Sequence, residues 1–327
     1  MMMSDKIFSW LASAVICSLL LAAGCAQLTE EGAIMALRFA PKDSTTYKLK
    51  TQSEQSVKWE GTLPKDGAFQ DRRNYNKVEM TISQQIQNID DEGNATAKIT
   101  IKELKYFSIY RNDTVLDFDS SRAKDRNNPL AKLIGQSYTI EIAPAGKVTE
   151  VIDATRARAA VKGSSSAHKT ALALLKPDVI KERHGTLTLP AADKNQLRAG
   201  DSWSHVKVFS FGLMGSKSYE KIYTLNEIKD QDNRRIAIGQ MNAIPTAEMA
   251  EQLHRERTLD MFSKSFDSTE TYTGRLKLDL DTGKIEEYFE KLQAEWVIVD
   301  PAAKEDDKQP GVLRIGVTRL YDLKKID

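Results

Sequence analysis

The sequence predicts a mainly β protein with minor α content, arranged as two related curved antiparallel sheets, or half-barrels, with short crossing helices. Three observations carry this. Apolar and polar residues alternate in segment after segment. Turn residues (Gly, Asn, Asp) separate those segments. The order of strands and turns in the first part of the chain recurs in the second.

The first element is an address rather than part of the fold. Residues 7–23 carry no charge, after Lys6 and Asp5. Small residues, Ala22, Ala23 and Gly24, then precede Cys25. A signal peptidase fits such small side chains beside the bond it cuts. This stretch resembles the lipobox of bacterial lipoproteins, departing from it in Ala22, where Leu is commonest. The resemblance implies a signal peptide over 1–24, cleavage after Gly24 and diacylglycerol on Cys25. Cys17 follows Ile16, which is too bulky for the position before a cut. With Ala26 rather than Asp next, the sorting rule implies the outer membrane, facing the periplasm, in a cell with two membranes. Several acyl chains anchor stably, whereas one is marginal.

Composition and charge narrow the rest. The chain has 327 residues, 47 Lys plus Arg against 46 Asp plus Glu, and a formal net charge of +1. A chain that is 41% hydrophobic with so little net charge is not a disordered tail. It also lacks the basic excess of a nucleic-acid reader, so nucleic acid is not an expected partner. Removing 24 residues leaves 303, which keep the +1 balance because Asp5 and Lys6 leave together. The lipid, not charge, must then hold the membrane. With Cys17 removed and Cys25 lipidated, no thiol remains for a disulfide, for catalysis or for a metal.

A lipidated tether covers 25–46 and a first β unit 47–152. Val78, Met80 and Ile82 alternate, Asp90 to Asn94 turn the chain, and Ala97, Ile99 and Ile101 return. A helical insertion spans Pro129 to Gly135. Tyr138, Ile140 and Ile142 then lead through a Gly146 turn into Lys147-Val148. A helical connector fills 153–199: Asp153 caps a helix ending by Gly163, Ser164 to Ser166 form a hinge or cap, and Pro177 interrupts an apolar patch over Ala171 to Leu175. The second β unit, 200–327, repeats the order. Ile222 and Thr224 run into a turn at Asp230 to Asn233, Ile236 and Ile238 return, and a helix is expected over Thr246 to Phe262. Leu276, Leu278 and Leu280 lead to Gly283, matching Gly146-Lys147-Val148 with Gly283-Lys284-Ile285.

The lipobox, the stretch from Pro129 to Ile152 and Ala199-Gly200-Asp201-Ser202-Trp203 together resemble a family of bacterial lipoproteins of unknown function. More distantly the pattern is similar to the LolA/LolB-type half-barrel folds. That likeness implies a concave apolar face able to hold acyl chains.

Residues that could carry chemistry are scattered. His168, His184, His205 and His254 have no metal-ligand spacing. Asp279-Leu280-Asp281-Thr282-Gly283 sits in a strand pattern, so a hairpin turn is favoured over a calcium loop. Ser164 to Ser166 lack a nucleophile elbow. Trp59, Trp203 and Trp296 fit sheet packing better than a ligand groove. No catalytic residue, metal or cofactor is expected. The expected function is a non-enzymatic, membrane-anchored envelope protein binding a hydrophobic ligand or a protein partner. The alternatives are an interaction lipoprotein without a small ligand, and a hydrolase-like enzyme whose site gathers scattered Asp, Glu and His.

Overall fold

Thr45, Tyr47 and Leu49 alternate inward along one strand, and Val78, Met80 and Ile82 along the next. This is the period-two burial that the sequence pattern requires. The computed structural model describes residues 32–61, 71–246, 267–299 and 311–327. The chain divides into Met1–Gly32 and Ala33–Asp327, and the fold described is that of the second unit.

The first half contributes β1 (Ala33–Ile34), β2 (Ser44–Glu60), β3 (Arg72–Ile89), β4 (Ala95–Tyr110), β5 (Asp113–Asp119), β6 (Ser137–Ile142) and β7 (Val148–Asp153). The connector forms α1 (Thr155–Ala160), α2 (Ser166–Leu174), α3 (Pro177–His184) and β8 (Gln196–Leu197). The second half contributes β9 (Ser202–Ser210), β10 (Ser216–Gln231), β11 (Arg234–Thr246), β12 (Asp267–Asp279), β13 (Lys284–Val299) and β14 (Val312–Lys325).

The fold is mainly β with short helices, as expected. The two expected sheets, however, are halves of one antiparallel sheet. Its order is β7-β6-β4-β3-β2-β14-β13-β12-β11-β10-β9, with β5 added beside β4 and β1 pairing β8 separately. The halves join because β2 and β14 pair continuously from Tyr47↔Lys325 to Glu60↔Val312. Each half runs the same meander, β2-β3-β4-β6-β7 and β9-β10-β11-β12-β13. The two Gly-Lys turns lie in the hairpins β6–β7 and β12–β13, and Gly146 and Gly283 both take positive φ there.

The ends of the sheet approach each other across the connector. Leu189 N donates to Ala145 O in the β6–β7 turn, and Trp203 Nε1 on β9 donates to Thr188 O. The N-terminal segment straps the two related turns together, since Leu37 N donates to Pro144 O and Arg38 N to Gly283 O.

Local chemistry sets the helices. Asp153 Oδ1 accepts from Thr155 N at the start of α1, and Ser165 Oγ caps α2 through His168 N. Pro177 opens α3 and Gly185 ends it. The insertion at Pro129–Leu133 is a 3-10 turn, capped by Asn128 and followed by Gly135 at positive φ. Thr246 ends β11, and the rest of the helix expected to Phe262 lies outside the described residues.

One reading of the pattern reverses. On β10 the core face is Tyr219, Lys221, Tyr223 and Leu225, not Ile222 and Thr224. On β11 the core face carries Ala237, Gly239 and Met241, and Ile238 lies on the other face. A register change of one residue exchanges the faces of a strand. Here a lysine occupies an inward position, for a reason that the site makes plain.

Candidate functional site

A cavity of about 370 Å³ lies between the curled sheet and helices α2 and α3. Strand register builds its floor as two adjacent transverse rows. One runs Glu290, Tyr321, Thr51, Val78 and Tyr106, paired in that order from β13 to β4. The other runs Tyr272, Leu292, Arg319, Ser53 and Asn76, from β12 to β3. All of these residues line the cavity. Leu174, Val179 and Arg183 roof it from α2 and α3.

One flank is polar and deeply buried. Lys221 is fully buried, with its Nζ 2.7 Å from Glu290 Oε2. It also donates to Thr186 O and to Tyr288 Oη, each at 3.1 Å. Tyr288 in turn donates to Glu290 at 2.7 Å, and Tyr223 and Tyr288 hydroxyls meet at 3.0 Å. Lys207 reaches the other Glu290 oxygen at 3.5 Å. Burial opposes ionisation of Glu290, but Lys221 and Lys207 outweigh it and hold the carboxyl below its usual range. Burial pushes Lys221 down, against the pull of Glu290. A buried charge is tolerated when paired and hydrogen-bonded in this way.

The roof adds a second buried cation. Arg183 is 5% exposed and donates to Leu174 O at 2.8 Å and to Tyr138 Oη at 3.3 Å. Its carbonyl accepts from Tyr321 Oη at 2.8 Å, which ties α3 to β14. Beside it, the Tyr138 hydroxyl and His184 Nε2 lie 2.7 Å apart. Burial, reinforced by Arg183, lowers the His184 pKa to about 3, so the ring is neutral.

The residues singled out from sequence fall elsewhere. Trp203 stacks on Tyr223 at 5.1 Å, and buried Trp296 meets Phe211 edge-on. Neither these two nor Trp59 lines the cavity. His168 hydrogen-bonds Ser165, His205 sits on β9, and His254 lies outside the described residues. Asp279 is a turn residue: its Oδ1 accepts from Asp281 N and Thr282 N, and Arg234 reaches its Oδ2. Among the described residues no group of three or more His, Cys, Asp or Glu side chains is placed to hold a metal. No helix among them is long and apolar enough to cross a membrane. Ala22, Ala23, Gly24 and Cys25 lie outside the described residues. Sequence reasoning missed Lys221, Glu290, Arg183 and Arg319. The only local sign was a lysine flanked by tyrosines two residues away on each side, Tyr219 and Tyr223.

Residues 92–285, more than half of the chain, match the family model DUF6263, a family of unknown function. The chain belongs to that family. The matched stretch of DUF6263 takes in the connector, Arg183, Lys207, Lys221 and Tyr272, and ends before Glu290. No curated protein matches the chain. Among solved structures it is similar to lipovitellin, in a structure concerned with lipid–protein interactions. The identity is 12% and the TM-score 0.42, over 89% of this chain and 26% of that one. This chain thus spans about a quarter of the lipovitellin chain. OpdQ of Pseudomonas aeruginosa aligns with 8% identity and a TM-score of 0.17, over 87% of this chain and 98% of that one. At these scores neither likeness bears on the ligand.

Proposed function

We propose that the protein is a lipid-anchored envelope protein that holds a hydrophobic ligand on the concave face of its sheet, without catalysis. The cavity carries this reading. Its volume of about 370 Å³ lies at the small end of the range of ligand sites, roughly 300–1,000 Å³. Val78, Leu174, Val179 and Leu292 give it apolar walls, with charged groups at one side. That division suits a ligand with an apolar body. The anchor rests on the lipobox resemblance: diacylglycerol on Cys25 would hold the chain at the outer membrane, facing the periplasm.

The test is to purify the full chain from its own membrane, extract it with organic solvent and identify the extract by mass spectrometry. A stoichiometric amphiphile or apolar molecule is expected. An interior that yields no ligand, from protein that also binds none when offered, would overturn the ligand reading.

A further inference from the structure

The cavity contains more positive charge than the described residues neutralise. Its lining includes Arg183, Lys207 and Arg319 against Glu182 and Glu290, and Lys221 stands behind Glu290. Glu290 is committed to Lys221, Lys207 and Tyr288. Glu182 is exposed. Two guanidiniums therefore have no carboxylate partner among the described residues. Among the described residues Arg183, almost fully buried, donates to one carbonyl and one phenol. Arg319 uses one nitrogen on Ser210 O at 2.9 Å, while its buried Nε has no acceptor. The Tyr272 hydroxyl, next but one to Arg319 along the same row, is also buried; Glu290 stands near it, but no acceptor among the described residues lies in hydrogen-bond geometry. A buried donor without an acceptor is costly, and a buried cation without a counter-charge more so. Lys207 and Arg319 flank one ring, at 5.0 and 5.3 Å from the Phe209 centroid, which places both cations at one side of the cavity.

We infer that the ligand is a single-chain amphiphile with an anionic head, carboxylate or phosphate. The head lies among Arg319, Tyr272 and Lys207, and the chain runs along Val78, Leu174 and Leu292. This rests on the ligand reading above and narrows it. An anion supplies acceptors to the two orphaned donors and balances the excess charge. A neutral lipid with the same chain supplies neither. The volume at the low end of ligand sites favours one chain over several.

The experiment is photo-crosslinking of the full chain in its native membrane. Three diazirine probes of matched chain length are used: palmitate, lysophosphatidate and hexadecanol. Peptide mapping then locates the label. At least one anionic probe is expected to label peptides from β13 and β14 about ten-fold more than hexadecanol does, the scale of one charge-assisted hydrogen bond. Whichever anionic probe labels more strongly identifies the head group. R319M should lower the anionic-to-neutral ratio about ten-fold, and R319K should restore part of it. Equal labelling by all three probes of the unaltered protein overturns the anionic head while leaving a hydrophobic ligand. No cavity labelling by any probe overturns both.

Discussion

Lys221 on β10 and Glu290 on β13 meet at 2.7 Å although β11 and β12 lie between their strands. Across a flat sheet three strand spacings amount to about 14 Å. The contact therefore depends on the curl of the sheet and on two long side chains reaching over its concave face. Gly274 of β12 pairs directly with Glu290 and adds no side chain of its own there.

Removing one member of the pair strands the other. K221M leaves Glu290 with Lys207 and Tyr288, whereas E290Q leaves Lys221 without a carboxylate. Each should destabilise by about 3–5 kcal/mol. The double variant K221M/E290L should recover much of that loss, because an apolar pair no longer pays for desolvation. Urea midpoints of the four proteins check this. Additive losses would mean that the two groups are not coupled.

Gly274→Ala tests the close packing at that pairing. A Cβ there would lie 2.6 Å from Phe289 O and 3.0 Å from Met241 Cε. Phe289 O is backbone and cannot swing away. The expected loss is about 1–3 kcal/mol, typical of overpacking. Gly239→Ala, whose nearest contact is 3.3 Å, should cost less. Thermal melts of both variants give the ranking, and an unchanged midpoint for G274A would contradict the packing.

Acid should weaken the fold in two stages. Neutral His184 keeps its proton off down to about pH 3, while an unfolded histidine takes one up near 6.5. Between those values the unfolded state binds the extra proton, so stability falls as pH falls through that window. Glu290 acts with the same sign. Its lowered pKa contributes stability above the ordinary glutamate value, and that contribution is lost as pH drops through the folded value. H184Q keeps a hydrogen-bonding partner for Tyr138 but removes the first stage. Denaturation midpoints from pH 7 to pH 4 should be flatter for H184Q than for the parent, and a parallel pair of curves would refute the assignment.

The turns, the β meander and the helix caps were legible in the sequence because each depends on near neighbours. Asp90, Gly93 and Asn94 make their own turn, and Ser165 caps its own helix. The inward face of β10 was not legible. The alternation visible in sequence runs through Ile222 and Thr224, and beyond its flanking tyrosines nothing near Lys221 marks it as inward until Glu290, 69 positions beyond, comes into reach. The cavity floor was hidden for the same reason. Its rows draw single residues from successive strands, and only register brings Tyr272, Leu292 and Arg319 together. Even the shared meander of the two halves did not reveal that β2 and β14 would join them into one sheet.

The strap over the two Gly-Lys turns gives the last prediction. Gly283 has φ +65°, and a Cβ there would meet Arg38 N and Cβ at 2.5 Å. Gly200 also has positive φ, +93°, but none of the described residues lies within 4 Å of its would-be Cβ. Alanine at Gly200 thus carries the backbone strain alone, about 1–3 kcal/mol. Alanine at Gly283 carries comparable strain and also displaces the segment whose Arg38 N bonds Gly283 O at 3.1 Å. G283A should therefore be the less stable of the two by at least about 1 kcal/mol. It should also raise amide exchange at Leu37 and Arg38, which G200A leaves protected. Equal midpoints and unchanged exchange at those two amides would show that the strap does not depend on the second glycine turn.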